Sequence, residues 1–260
     1  MLKLWMGFSS KRCGVYSAGN GPVMRAPILG ALILDSATMI EFVRRSSRIT
    51  HSDVKAEYGA MAVALAARQS RTSDAIDGRE FLEALDRLLP IDEPADELRQ
   101  LLQTVVGSIE TGEGTQEFAA RTFSERGISG YTYHTVPAAI HAWLASPYDF
   151  ERAVTNIIQC GGDADSTAAI VGGIIGARVG RAGIPTRWLR DLKEWPCSHA
   201  CTAATRSQHC IPDRCPCSRL SPARASVLDV AIRKQLPAHQ LRSCESPCVP
   251  TCKPGIDAYR

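Results

Sequence analysis

A chain of 260 residues, 45% hydrophobic and 22% charged, has the make-up of one globular domain with a sizeable core. Its net charge of +3 is too small for a nucleic-acid surface, and no basic stripe interleaved with aromatics runs along it. Its longest apolar stretches, 26–34 and 167–177, are broken by Asp35 and Arg178, well short of the roughly 18 residues that a membrane-spanning helix needs. The opening MLKLWMGFSSKRCGVYS has too short an apolar run, and no small-residue cleavage site, to read as a signal peptide. A cytoplasmic protein is expected.

Helical periodicity runs through the body of the chain, with no alternating strand pattern and no asparagine-glycine hairpin signal, so the fold is expected to be all-α. The predicted helices are Pro27–Arg45, Asp53–Arg68, Asp77–Leu88, Ala95–Ile109, Thr115–Arg126, Val136–Ala145, Pro147–Gln159, Ser166–Arg181 and Pro185–Glu194. Pro147 and Pro185 are placed at first helical positions, where a missing N–H costs nothing. Four carboxylates gather in DEPADE at 92–97; they read as a loop and helix start, because carboxylates favour helix N-termini. Asp74 and Asp77 flank a turn in the same way. Gly172, Gly173, Gly176 and Gly180 form a small-residue face on the eighth helix, expected to admit another helix backbone.

Two segments carry possible chemistry. CGGDADSTAAIVGG at 160–173 places Asp163, Asp165, Ser166 and Thr167 behind a glycine pair and ahead of an apolar run. These are hard oxygen donors of the kind Mg²⁺ or Ca²⁺ prefers, and a helix cap is the competing reading. SAGNGPVMRAPILGA at 17–31 sets Gly19, Asn20 and Gly21 before another helical run, where exposed amides and a helix start favour an anion. His51, between Thr50 and Ser52, could reach a ligand from the start of the following helix or be a loop histidine. His134 reads as a hydrogen-bonded structural residue.

Together, and in this order, the two segments resemble the ADP-ribosylglycohydrolase family, in which a GNG…MR…P segment and a GGD-x-D-[ST] segment are hallmarks. The likeness continues through SSRITHSD at 46–53, GYTYHTVPAAIHAWL at 130–144 and IPTRWLRDLKEWP at 184–196, covering most of residues 1–196. It implies a Mg²⁺-dependent hydrolase that removes ADP-ribose from a modified protein or small molecule. Ser17, Ala18, Gly19, Asn20, Gly21 and His51 would then lie near the ADP-ribose, and Asp163, Asp165 and Ser166 would bind metal. Relatives carry two Mg²⁺ ions. The alternative is an inactive member acting as an ADP-ribose-binding or structural protein, as a lens crystallin sharing the fold does.

The family takes its other metal ligands, and its catalytic acid or base, from N-terminal GD-x-x-G and T-D-D-T segments. Neither occurs here, and LKLWMGF resembles sequence just ahead of GNG inside the family domain, so about the first hundred residues of the fold are expected to be missing. The catalytic residue is therefore unassigned. Such a domain should expose apolar faces and self-associate. After Trp195 the texture changes: Cys197, Cys201, Cys210, Cys215, Cys217, Cys244, Cys248 and Cys252 fall in a stretch rich in Pro, Ser and Arg. Their spacing matches no paired zinc knuckle. Residues 1–196 are thus read as a partial domain, and 197–260 as a tail that is disordered or translated out of frame.

Overall fold

The computed structural model describes residues 14–123 and 127–192. The opening LKLWMGF, residues 193–196 and the Cys-rich tail lie outside the described residues. Among the described residues ten α-helices follow one another: α1 Gly21–Leu32, α2 Ser36–Thr50, α3 Val54–Thr72, α4 Gly78–Asp86, α5 Glu93–Glu110, α6 Thr115–Thr122, α7 Thr132–Ala145, α8 Phe150–Gln159, α9 Ala164–Val179 and, past a 3-10 turn at Arg181–Gly183, α10 Thr186–Asp191. No strand occurs among the described residues; three isolated bridges join loops instead. Residues to Pro185 form one compact unit, and α10 belongs to a second. No helix among the described residues is long and apolar enough to cross a membrane.

Aspartates start five of these helices. Asp35, Asp53, Asp77, Asp92 and Asp149 each accept from a backbone amide in the first turn, at 2.7–3.0 Å, which satisfies donors that the helix leaves orphaned. Asp35 also divides the expected helix Pro27–Arg45 in two, because its cap begins α2 after the extended Ile33. The prolines correct the predicted starts. Pro27 and Pro137 lie inside α1 and α7, where buried packing outweighs one missing hydrogen bond. Pro147 sits in a turn before Asp149, and Pro185 lies just ahead of α10.

The alanine-rich α3 is the centre of the core. From Ala56 to Ala67 every residue is buried, and α1, α2, α7 and α9 all pack on it. Small side chains let these helices approach closely: a Cβ added at Gly30 would lie 1.8 Å from the Ala64 carbonyl oxygen. Gly173 admits the ring of Pro27 in the same way, whereas Gly180 belongs to no packing face and ends α9 with φ of 58°. Glu57 is the charged exception within that buried run. It is 5% exposed and bound by Arg44 at 3.0 Å and Arg48 at 2.9 Å, so α2 supplies the compensation that a buried carboxylate requires.

A second polar cluster lies between α5, α6 and α7. His141 is fully buried, its Nε2 is 3.0 Å from Ser108 Oγ, and its Nδ1 is 3.1 Å from Thr115 Oγ1. Phe118 stacks on the ring at 4.5 Å. Ser108 donates to Glu113, which Arg121 also grips. Burial pushes the imidazole down to about 4, with Glu113 raising it and Arg121 lowering it.

Two predictions come from this packing. Gly30→Ala should destabilise the protein by about 3 kcal/mol, since the clash is with backbone, while Gly107→Ala, at an exposed helical position with nothing near, should stabilise it by about 0.5–1 kcal/mol. Urea unfolding of both variants measures the contrast. The second concerns pH. The folded His141 titrates below its unfolded value, so the stability held by the neutral ring is complete above about pH 6.5 and is lost as pH falls toward about 4. Stability in that window should drop by up to about 1.4 kcal/mol per pH unit, and His141→Gln should flatten the decline in unfolding curves.

Candidate functional site

Three turns far apart in sequence meet at the starts of α1, α7 and α9. Gly19 bridges Tyr131, and Ile128 bridges Gly162. Around these bridges the backbone is cross-linked: Asn20 N donates to Gly130 O at 3.0 Å, Thr132 N to Ala18 O at 2.8 Å, and Asp163 N to Ile128 O at 2.7 Å. Gly161 and Gly162, with φ of 70° and 77°, make the reversal that returns the chain from α8 into α9. A side chain at either would be strained there.

Side chains then join the turns. The Asn20 amide is 8% exposed and donates both to Asp163 Oδ2 at 2.7 Å and to Thr135 Oγ1 at 3.1 Å. Ser166, buried on the first turn of α9, donates to Asp163 Oδ1 at 2.7 Å. Asp163 occupies the N-cap position of α9, but its carboxylate is held chiefly by the side chains of Asn20 and Ser166, with the Ser166 amide a weaker contributor rather than a well-formed cap bond. Burial works against its charge, but Ser166, Asn20 and the neighbouring Asp165 outweigh it and hold the carboxyl below its ordinary range. Asp165 is exposed one residue into the helix.

The other predicted residues fall in the same place. Ser17 Oγ accepts from Gly19 N at 3.3 Å, and the Ala18 carbonyl also receives the Thr132 hydroxyl at 2.7 Å. His51 ends α2 and is tied to Val15 by a parallel bridge. Its ring lies against the glycine turn, so that a Cβ at Gly19 would meet Nε2 at 3.1 Å and one at Gly21 would meet Cε1 at 3.0 Å. Burial, and then the nearby Arg25, lower its pKa. His134, by contrast, bonds Ser129 at 2.9 Å and packs on Phe123 and Tyr131, which suits the structural role expected of it.

Three participants carried no role in the sequence reading. Thr135, on the first turn of α7, bonds Asn20, and Gly130, in the turn before that helix, faces Asp163, a Cβ there falling 3.1 Å from its carboxylate. Arg25 binds the Gly21 carbonyl at 3.0 Å and Thr50 at 2.9 Å, bracing the glycine turn against α2. The MR pair after GNG was the available signal for Arg25. Nothing local marks Thr135, whose contact spans 115 residues.

The donor set can be tested against a divalent cation. Asp163, Asp165 and Ser166 are hard oxygen donors, right in kind for Mg²⁺. Among the described residues no three His, Cys, Asp or Glu side chains gather into a cation site, and two carboxylates with one hydroxyl fall short of the about six oxygens that the ion takes. Taken alone, they do not fit it.

A family model described as ADP-ribosylglycohydrolase matches residues 1–214. An uncharacterised protein of Archaeoglobus fulgidus is 34% identical over 192 residues, 74% of this chain and 59% of that protein. The ADP-ribosylhydrolase ARH3 of Bos taurus is 26% identical over 207 residues, 69% of this chain and 55% of the relative. A solved structure titled ADP-ribosylglycohydrolase-related protein complex superposes with a TM-score of 0.53 at 27% identity, over 74% of this chain and 66% of that one. The chain thus spans little more than half the length of these curated relatives. With the family model covering most of its residues and the all-α fold agreeing with it, the chain belongs to the ADP-ribosylglycohydrolase family.

Proposed function

We propose that this chain holds the ADP-ribose of a modified protein or small molecule and takes part in its hydrolysis from the acceptor. One observation carries the reading: the Asn20 amide binds Asp163 at 2.7 Å, which sets the GNG and GGD turns on a common floor. None of the helices starting there, α1, α7 and α9, has a side-chain cap bond. Their positive dipole ends, with the first-turn amides that Thr132, His134 and Ala164 do not already spend on backbone carbonyls, suit the negative diphosphate of ADP-ribose. Asp163 and Asp165 suit the ribose, whose anomeric carbon gains positive charge as the bond to the acceptor breaks. His51 and Ser17 flank the glycine turn where the ligand would lie.

Mg²⁺ would enter this reading only as a shared cofactor: Asp163, Asp165 and Ser166 do not complete its shell alone and would contribute oxygens to it beside those of substrate and water, where it would supply Lewis-acid chemistry. The part assigned to this chain's own residues is narrower: it orients the ribose and places two carboxylates beside the reacting carbon.

Two measurements test this. Calorimetry should show ADP-ribose binding, weakened about fivefold or more by Asn20→Ala, the cost of a lost hydrogen bond to a charged group; equal affinity in the variant would sink the proposed floor. Release of ADP-ribose from a modified protein should require Mg²⁺ and disappear in Asp165→Ala. Binding without release in the wild type would instead identify a non-catalytic ADP-ribose-binding member of the family.

A further inference from the structure

The turn that carries Asp163 is anchored from behind by residues with no part in the site. Cys160 follows α8 and precedes the glycine pair. Its thiol lies 3.3 Å from the Asn156 carbonyl and 3.7 Å from the Thr115 carbonyl, with a single proton shared between the two acceptors. Gln116, next to Thr115, pairs through its side-chain amide with Gln159. The first turn of α6 is thereby clamped to the last turn of α8, one residue before Gly161.

Thr115 is held in turn by His141, and the donors along this path can be assigned one by one. Ser108 gives its hydroxyl proton to the Glu113 carboxylate, which Arg121 binds at 2.9 and 2.7 Å and keeps ionised. Ser108 Oγ can then only accept from the imidazole 3.0 Å away, so the ring proton sits on Nε2. Nδ1 is left with its lone pair, and the Thr115 hydroxyl at 3.1 Å is the donor to it. The path runs one way, from Thr115 through His141 and Ser108 to Glu113. Every polar atom of the buried ring is satisfied in this one tautomer.

We propose that His141, as the neutral Nε2–H tautomer, is a positioning residue: it fixes Thr115 and, through the clamp between α6 and α8, the turn that presents Asp163. Its geometry stands apart from the functional reading, and only its consequence for ADP-ribose rests on that reading. A ring stacked on Phe118 and bonded at both nitrogens has one orientation available. That orientation sets where the start of α6 can lie, and the Thr115 carbonyl, Cys160 and the Gln116–Gln159 pair carry it to Gly161. The Asp163 amide, bonded to the Ile128 carbonyl at 2.7 Å, is the far end of the same path.

The test uses the full chain. Nitrogen NMR should show His141 protonated at Nε2 and bare at Nδ1, unchanged between about pH 5.5 and 8, whereas an ordinary imidazole titrates near 6.5; a bare Nε2, or a midpoint near that value, overturns the assignment. Thr115→Val removes the donor and keeps the shape. It should speed hydrogen exchange at the Gly161 and Asp163 amides about five- to tenfold relative to α3 amides, the effect of one lost neutral hydrogen bond, and Thr115→Ser should restore it. Unchanged exchange, or equal acceleration throughout the protein, overturns the positioning role. ADP-ribose affinity should fall by a similar factor in Thr115→Val and recover in Thr115→Ser, and faster local exchange with unchanged affinity also overturns it. Should the wild type bind no ADP-ribose, the functional reading fails by itself, while the exchange data still decide the role of His141.

Discussion

The hydrogen bond from Asn20 to Asp163 joins residues 143 positions apart, and the candidate site exists only because the core lets that bond form. Both residues lie at helix starts, so α1 and α9 must approach each other end to end against the same neighbour. The alanines of α3 make this possible. Gly30 meets Ala64 backbone to backbone, and Gly173 admits Pro27; a larger side chain at either contact would push a helix outward and carry its polar turn with it. Packing of small apolar residues thus determines a polar geometry, as expected where interiors are close-packed and transmit displacement.

The charges in this unit divide into two kinds. Glu57 faces Arg44 and Arg48, Glu97 faces Lys55, and Glu113 faces Arg121; each carboxylate is neutralised within the protein and serves to hold elements together. Asp163 is held differently. Asn20 and Ser166 donate hydrogen bonds but bring no positive charge, so the carboxylate keeps its negative charge available to a ligand. Partial burial makes that charge stronger in effect, because less water screens it.

Much of this could be read from residue order, and the failures have physical causes. Aspartate caps and apolar periodicity located most helices, because both are local. Helix starts went astray at Pro27, Pro137 and Pro147, where burial or a neighbouring aspartate overrode the usual preference of proline for a first turn. For the site, the GNG and GGD turns announced themselves through glycine and aspartate, and their order along the chain tied them to a family. Residue type alone left Asp163 between cap and ligand; only its geometry, an N-cap position whose carboxylate is held mainly by the side chains of Asn20 and Ser166, separates it from Asp35 or Asp92. Thr135 and His141 sit inside apolar helical runs, and Asn20, Ser108 and Thr115, which they bond, lie far away in sequence, so no local pattern distinguishes them from core.

The convergence of three helix starts around an anion needs one further step of reasoning. Amides at helix N-termini create positive potential, and Asp163 takes part of it while being held mainly by side chains. Thr132, His134 and Ala164 already spend their amides on backbone carbonyls, so it is the dipole ends and the amides left over that suit something negative, while Asp163 and the exposed Asp165 suit something positive or hydroxyl-bearing. A simple anion would answer the amides and be repelled by the carboxylates; a simple cation would do the reverse. A ligand with a diphosphate at one end and a ribose at the other would satisfy both halves at once, which is why the proposed reading takes ADP-ribose rather than either kind of ion alone.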